Sequence, residues 1–260
     1  MTSASSASIQ QTAVVTGAAS GVGAATARRF GVAGYSVLAC DIAPTESIVA
    51  EISAAGGTAS GLDIDLTADG APAAVIEAAV SEFKRLDILI HNAGIGSGAP
   101  VEATTEQDLD RIWALNYRSG HLLAKHAIPA LREAGGGSIM FTTAVAGHGG
   151  MAMVSPYASS KAALITLSKT IALEYGREGI RSNCISPGPV NTPMLAGAAE
   201  AYGIPESAFA AMLPTGRVVE PEEVADGFVY LAGESARSIN GHVLVIDGGF
   251  LAGPFAPPEG

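Results

Sequence analysis

Short apolar stretches alternate with longer alanine-rich stretches along most of the chain. Seven apolar stretches have the length of buried strands, and the segments between them include three with clear helical spacing. This alternation is typical of a parallel sheet covered by helices on both faces, with right-handed connections. The sequence therefore predicts an α/β fold with a doubly wound, seven-stranded parallel sheet in a single domain. The predicted strands lie near Ala13–Val15, Ser36–Ala39, Thr58–Leu62, Asp87–Ile90, Ser138–Phe141, Arg181–Ile185 and His242–Ile246, and the predicted helices cover Ala71–Phe83, Leu109–Leu131 and Ser159–Tyr175.

Two segments fall outside this alternation. Residues 1–11 are rich in Ser, Ala and Thr and have no apolar core, so we expect a flexible N-terminus rather than a signal peptide. Residues 12–260 then form the domain. Within it, apolar and small residues are interleaved at about 193–213, which predicts a short helical lid over a substrate.

Composition narrows the class of protein. Apolar residues make up 48% and charged residues 15% of the chain, which excludes a disordered protein. The net charge of −11 argues against nucleic acid and anionic membranes as partners, and no apolar run is long enough to span a membrane. Cys40 and Cys184 lie in apolar stretches, as expected for reduced thiols in the cytoplasm. The five histidines are scattered, so no metal site is predicted.

A glycine-rich turn follows the first predicted strand. In Thr16–Gly23 the glycines follow the pattern G-x-x-x-G-x-G, and a helix is predicted from Ala24. Such a turn lets the backbone approach a pyrophosphate at the positive end of a helix, as in Rossmann-type dinucleotide sites. Glycine-rich turns without a ligand are also common, so the pattern alone leaves both interpretations open.

An acidic residue stands at the end of the second strand. Asp41 follows the last glycine at the distance at which a carboxylate accepts hydrogen bonds from the adenosine ribose. It would repel a 2′-phosphate, and no Arg or Lys lies within Ala18–Gly23 or directly after Asp41 to bind one. The sequence therefore predicts NAD rather than NADP as the cofactor.

Tyr157 and Lys161 are four residues apart on a predicted helix and share one face. An ammonium group near a phenol favours the phenolate, so we expect Lys161 to lower the pKa of Tyr157. A solvent-exposed helix face can carry the same pair, and the spacing alone is a weak signal.

Seven motifs in order resemble the classical short-chain dehydrogenase/reductase family over about residues 11–249. The resemblance implies a Rossmann-type fold and NAD-dependent interconversion of a secondary alcohol and its ketone. The matching segments are Thr16–Gly23, Asp65–Thr67, Asn92–Gly94, Asn116, Tyr157–Lys161, Asn183 with Pro187–Thr192, and Asp247–Gly249.

The resemblance also implies a role for each matching residue. Tyr157 would exchange the proton of the hydroxyl, Lys161 would bind the nicotinamide ribose, and Asn116 would position water in a proton relay. The predicted cofactor-binding residues are Gly17, Ser20, Gly21, Val22, Gly23, Asp41, Ile42, Asp65, Leu66, Asn92, Ala93, Gly94, Tyr157, Lys161, Pro187, Gly188, Val190 and Thr192.

The chain departs from the family pattern at one catalytic position. The family serine lies thirteen residues before the tyrosine, and here that residue is Ala144. Three explanations compete: an engineered Ser→Ala change, a natural protein that is weakly active or non-catalytic, or a hydroxyl supplied by Thr143 or Ser155. Strand alternation turns Thr143 to the opposite side. The other motif positions are intact, which favours the engineered change and predicts a chain of reduced activity.

The predicted substrate pocket is mostly apolar and contains no Arg or Lys. We therefore expect a small, hydrophobic secondary alcohol or ketone, and a homotetramer by family resemblance. The alternative is a member that binds NAD as a regulator or scaffold without catalysis. The predicted substrate-binding residues are Val145, Ala146, Met151, Met153, Val154, Pro189, Met194, Leu195 and Phe209.

Overall fold

The structure, a computed structural model, describes residues 10–96 and 98–254, so residues 1–9 of the predicted flexible N-terminus lie outside it. Within the described ranges, seven strands form one parallel sheet in the order β3-β2-β1-β4-β5-β6-β7. The predicted fold class is confirmed, and each predicted strand end lies within two residues of the observed one. The strands are β1 (Thr12–Thr16), β2 (Ser36–Asp41), β3 (Thr58–Asp63), β4 (Ile88–His91), β5 (Gly137–Thr142), β6 (Ile180–Pro187) and β7 (Val243–Ile246).

Helices connect the strands, and two of the predicted helices differ from the observed ones. The predicted helix Ser159–Tyr175 begins earlier, at Ser155, because Pro156 is well suited to a first helical turn. The predicted helix Leu109–Leu131 is two helices joined by a π-helical turn, Ala114–Arg118. The helices are α1 (Gly21–Val32), α2 (Glu46–Ala54), α3 (Ala71–Phe83), α4 (Glu106–Trp113), α5 (Ser119–Glu133), α6 (Ser155–Tyr175), α7 (Pro193–Tyr202), α8 (Ser207–Ala211) and α9 (Pro221–Ala232).

Both faces of the sheet are covered by hydrophobic clusters. Strand β1 contributes to both, because alternate side chains point to opposite faces: Val15 packs into one cluster and Val14 into the other. The first cluster includes Phe30 of α1 and Phe228 of α9. The second includes side chains of α3, α5 and α6, among them Leu123. The sheet is therefore doubly wound, as the sequence predicts.

The strand order reverses at the centre of the sheet. Strand β1 pairs with β2 on one side and with β4 on the other, so the loops that follow β1 and β4 leave in opposite directions. Such a switch point leaves a crevice at the carboxyl ends of the strands, where ligands of open α/β sheets bind.

Two further observations concern membrane-spanning helices and the two cysteines. No helix in residues 10–96 and 98–254 is long and apolar enough to cross a membrane. Cys40 and Cys184 are both buried and free, one at the end of β2 and the other in β6.

Candidate active site

A cavity of about 810 Å³ lies at the carboxyl ends of the strands. It runs from the glycine-rich turn after β1 to the helix α7, and most residues predicted to bind the cofactor line it. These are Gly17, Ser20, Gly21, Val22, Asp41, Ile42, Asp65, Leu66, Asn92, Ala93, Gly94, Tyr157, Lys161, Pro187, Gly188, Val190 and Thr192.

The glycine-rich turn has a shape that side chains would block. Gly17 and Gly21 adopt φ angles of +68° and +51°, which L side chains rarely adopt. Gly23 does not line the cavity, but a Cβ there would overlap the carbonyl of Gly17. A Cβ on Gly21 would lie 3.0 Å from the methyl group of Thr192. The turn therefore keeps backbone exposed at the N-terminus of α1, which fits the pyrophosphate of a dinucleotide.

Asp41 is held in place at the end of β2. One carboxylate oxygen accepts a hydrogen bond from the backbone N–H of Ala19 at 2.9 Å, and the other accepts from Ala43 at 3.0 Å. The carboxylate therefore has a fixed orientation while it still lines the cavity. Each oxygen keeps acceptor capacity, which fits the hydroxyls of a ribose.

Asn92 joins the glycine-rich turn to the strand β5. Its amide oxygen accepts from the hydroxyl of Thr142 at 2.9 Å, and its amide nitrogen lies 3.4 Å from the carbonyl oxygen of Gly17. The backbone N–H groups of Asn92 and Ala93 both donate to the hydroxyl of Thr16. These bonds fix the loop after β4 beside the glycine-rich turn.

Asn116 lies in the π-helical turn and is buried, and it does not line the cavity. Its side-chain oxygen accepts from the N–H of Ile95, and its side-chain nitrogen donates to the carbonyl of Ile95, each at 2.9 Å. The same nitrogen donates to the hydroxyl of Ser160 on α6 at 3.0 Å. In this structure Asn116 therefore joins the loop after β4 to α6.

His91 connects the same turn to β1. The hydroxyl of Thr16 already accepts two backbone N–H groups, so its proton points to Nδ1 of His91, 3.4 Å away. Nε2 then carries the ring proton and donates to the carbonyl of Asn116 at 3.0 Å. Burial, with a smaller contribution from the charge of Lys161, lowers the pKa of His91 to about 4. The ring is therefore neutral and acts as a fixed hydrogen-bonding bridge.

Tyr157 and Lys161 lie on the first turns of α6, and both line the cavity. The buried Nζ of Lys161 donates to the carbonyl of Thr142 at 2.8 Å and stands 5.6 Å from the centre of the Tyr157 ring. Burial lowers the pKa of Lys161 to about 8 and raises the pKa of Tyr157 to about 12.

The expectation that Lys161 lowers the pKa of Tyr157 is wrong for this structure. Nζ of Lys161 is held by the carbonyl of Thr142 and lies over the phenol ring. Removal of the phenol from water opposes the charged form, and this effect dominates. Tyr157 is therefore a protonated phenol at neutral pH.

Ala144 lines the cavity and presents only a methyl group there. The neighbouring hydroxyl of Thr143 donates to the carbonyl of Ile185 at 3.0 Å, so its proton is committed inside the protein. Ser155 lies in a separate, shallower depression. Neither residue supplies the hydroxyl that the family serine would place at this wall.

Four of the predicted substrate-binding residues line the cavity. They are Val154, Pro189, Met194 and Leu195. The predicted lid at 193–213 is two helices, α7 and α8, and of these only α7 contributes to the cavity.

Five predicted substrate-binding residues do not line the cavity. After Ala144 the chain forms a short 3₁₀ helix, Val145–His148, in which the side chain of Val145 is buried. Ala146 and Met151 lie in the second depression. Met153 has a φ of +72°, and its side chain is exposed. Phe209 lies on α8, beyond the lid helix that forms the wall.

Other residues of the cavity were not predicted. Arg111 lines it from α4, so the expectation of a cavity without arginine is wrong, although its guanidinium pairs with Asp108 at 3.1 Å. The loop after β4 also forms the wall, and sequence periodicity carries no signal for it. The unpredicted residues are Ile64, Ile95, Gly96, Gly98, Arg111, Leu115, Thr142 and Thr143. The remaining residues of α7 in the wall lie within the predicted segment 193–213; they are Pro193, Gly197, Ala198, Ala201 and Tyr202.

This fold and this cavity define a class: proteins with a dinucleotide-type crevice and a tyrosine–lysine pair in its wall. A family model described as enoyl-(acyl carrier protein) reductase matches residues 17–251. The chain belongs to the short-chain dehydrogenase/reductase family, as the motifs imply.

Relatives and solved structures agree with this assignment. A cis-4-hydroxycyclohexanecarboxylate dehydrogenase from Sinomonas cyclohexanicum is 35% identical, over 94% of this chain and 97% of its own length. The structure of levodione reductase is 30% identical, with a TM-score of 0.89 over 92% of this chain and 96% of its own. A presumed NAD(P)-dependent gluconate 5-dehydrogenase from Beutenbergia cavernae, with NADP bound at low occupancy, is 32% identical, with a TM-score of 0.88 over 94% and 97% of the two chains. Such homologues are oxidoreductases that act on cyclic and secondary alcohols.

Proposed function

We propose that this protein is an NAD-dependent oxidoreductase that interconverts a small hydrophobic secondary alcohol, preferably cyclic, and its ketone. The observation that carries the proposal is one continuous cavity that joins a bare glycine-rich turn to the phenol of Tyr157. The apolar side chains of Val154, Met194 and Leu195 at its far end support a hydrophobic substrate. The name of the Sinomonas relative, a dehydrogenase of a substituted cyclohexanol, supports a ring.

The proposed mechanism gives Tyr157 and Lys161 separate roles. When bound, the nicotinamide supplies hydride chemistry. Tyr157 accepts the proton of the alcohol in oxidation and returns it to the oxygen in ketone reduction. Lys161, held by the carbonyl of Thr142, places its positive charge 5.6 Å from the centre of the phenol ring, where it opposes the effect of burial without outweighing it as that proton moves.

Ala144 supports the proposal that turnover of this chain is reduced. A serine there would donate to the substrate oxygen where charge develops, and the methyl group cannot. The same observation favours one alternative function, a regulator or scaffold that binds NAD without catalysis.

A turnover assay separates the two functions. NADH absorbance is followed with NAD and a panel of cyclic and acyclic secondary alcohols, for the chain as written and for Ala144→Ser. Oxidation by the Ala144→Ser form supports the enzyme. Tight NADH binding without oxidation of any alcohol or reduction of any ketone by that form supports the alternative.

NAD is expected to bind at least about tenfold more tightly than NADP, a difference of about 1.4 kcal/mol. The fixed carboxylate of Asp41 faces the cavity and repels an additional phosphate, and the next residue, Ile42, carries no charge. Calorimetric titration with both cofactors measures the difference. Asp41→Ser combined with Ile42→Arg should relax the preference, and equal or tighter binding of NADP by the unmodified chain contradicts it.

We also propose a homotetramer. Leu173 on α6 is 87% exposed and Leu109 on α4 is 41% exposed, so these helices present apolar side chains that a partner could cover. Light scattering at micromolar concentration should give four chain masses, and a monomer mass contradicts the proposal. A cytoplasmic location is a further proposal, supported by the two free, buried cysteines.

A further inference from the structure

Tyr202, the last residue of the lid helix α7, lies against the loop that follows β4. Tyr202 and Gly98 both line the cavity, and a Cβ on Gly98 would come within 2.7 Å of Cε1 and 3.1 Å of the hydroxyl of Tyr202. Tyr202 is 36% exposed as a residue. The missing side chain of Gly98 therefore makes room for this ring.

Tyr157 meets the same loop two residues earlier. A Cβ on Gly96 would lie 3.8 Å from Cδ2 of Tyr157, in ordinary contact. The Cα atoms of residues two apart are separated by at most about 7 Å. Both phenols therefore contact the loop after β4, at Gly96 and at Gly98, and both line the cavity, so one molecule in the cavity can reach both.

Most other hydroxyls that line the cavity already donate their protons within the protein. The three threonines do so at 2.9 to 3.2 Å, and Ser20 belongs to the glycine-rich turn. Among the residues that line the cavity, Tyr202 is therefore the hydroxyl besides Tyr157 that lies near α7 and the loop after β4 and has no such bond to another described residue. The threonine bonds run from Thr142 to Asn92, from Thr143 to the carbonyl of Ile185 and from Thr192 to the carbonyl of Val190.

We propose that Tyr202 recognises a second oxygen of the substrate, across a six-membered ring from the carbon that Tyr157 serves. The apolar walls at Val154, Met194 and Leu195 suit the carbon atoms of the ring, and each phenol can form a hydrogen bond with one oxygen of the substrate. The substrate class is then a cyclic secondary alcohol with a second hydroxyl or carbonyl, rather than a simple hydrocarbon alcohol. This inference rests on the proposed function and specifies its substrate.

A comparison of two substrates of the same shape tests the inference. Cyclohexane-1,4-diol and 4-methylcyclohexanol differ at the far position in a hydroxyl or a methyl group of similar size. We expect the Ala144→Ser form to prefer the diol in kcat/KM, and Tyr202→Phe in that background to reduce the preference about tenfold, mainly through KM of the diol. Tyr230→Phe, on the half-exposed face of α9, is the matched control and should leave the preference unchanged.

A second variant guards against an indirect effect of Tyr202→Phe on folding. Gly98→Ala places a methyl group where the ring of Tyr202 lies, so it should displace the phenol and reduce the same preference. Unchanged thermal midpoints and NADH affinities show that the fold is intact. If both substrates are oxidised and neither variant changes the preference, the inference is wrong. If neither substrate nor any other alcohol is oxidised, the proposed function fails, and the inference fails with it.

Discussion

Replacing Ala144 with serine is expected to raise kcat by roughly 10²–10³, because one hydrogen-bond donor to the developing charge of the substrate oxygen contributes about that much. Ala144 is 6% exposed and lines the cavity, so a hydroxyl added there faces the site. The gain should appear in kcat, since the new bond serves the transition state more than the ground state. Steady-state assays of both forms with the same alcohol measure it.

The matched control is Ala146→Ser. Ala146 is also a buried alanine, two residues further along the chain, but it lies in the second depression and not in the cavity. It should leave kcat unchanged, and cofactor affinity should be similar in all three forms. A kcat gain from Ala146→Ser equal to that from Ala144→Ser would mean that the effect does not come from the substrate oxygen. No gain from Ala144→Ser on any alcohol or ketone would leave the non-catalytic NAD-binding function as the better description.

The sequence predicts the framework of the site because local patterns determine it. The strand pattern gives the number of strands and their places in the chain, and the glycines before α1 together with Asp41 mark where the first two strands end. Tyr157 and Lys161 share a helix face through their spacing alone. These features depend on residues near one another in the chain, and the cavity brings them together.

The far wall of the cavity could be predicted only in part. It is built from irregular segments whose course depends on tertiary contacts: the 3₁₀ turn after Ala144 directs Val145 inward, and α7 ends with Tyr202 over Gly98. The π-helical turn is another example. The two hydrogen bonds of Asn116 to Ile95 connect residues far apart in the chain, so helical periodicity does not reveal it.

The pKa of Tyr157 is raised where the sequence analysis expects it to be lowered, and the cause is again a tertiary contact. The i, i+4 spacing places Lys161 on the same face of α6 as Tyr157. The carbonyl of Thr142, at the end of β5, then decides where its ammonium group points. Burial, which the sequence does not quantify, then opposes the phenolate. The pair is therefore poised as a proton donor at neutral pH, and oxidation requires that the phenol first lose its proton.

Tyr157→Phe in the Ala144→Ser background should lower kcat by roughly 10²–10⁴, since it removes the group that exchanges the proton while the ring remains in place. NADH affinity should change little because the phenol hydroxyl is a small part of a large cavity. Tyr175→Phe, at the opposite end of α6, is the control and should retain full turnover. A Tyr157→Phe form that keeps more than about a tenth of the rate would contradict the assigned role.

The pH profile provides a second readout of the same assignment. Because the pKa of Tyr157 is raised to about 12, the phenolate fraction grows with pH throughout the working range, and kcat/KM for oxidation should rise with it. Above about pH 8 Lys161 loses its proton and its charge no longer favours the phenolate, so the rise should become shallower there. Ketone reduction uses the protonated phenol and should stay nearly constant through neutral pH. Oxidation that slows as the pH rises from about 6 to 8 would show that a different group accepts the proton.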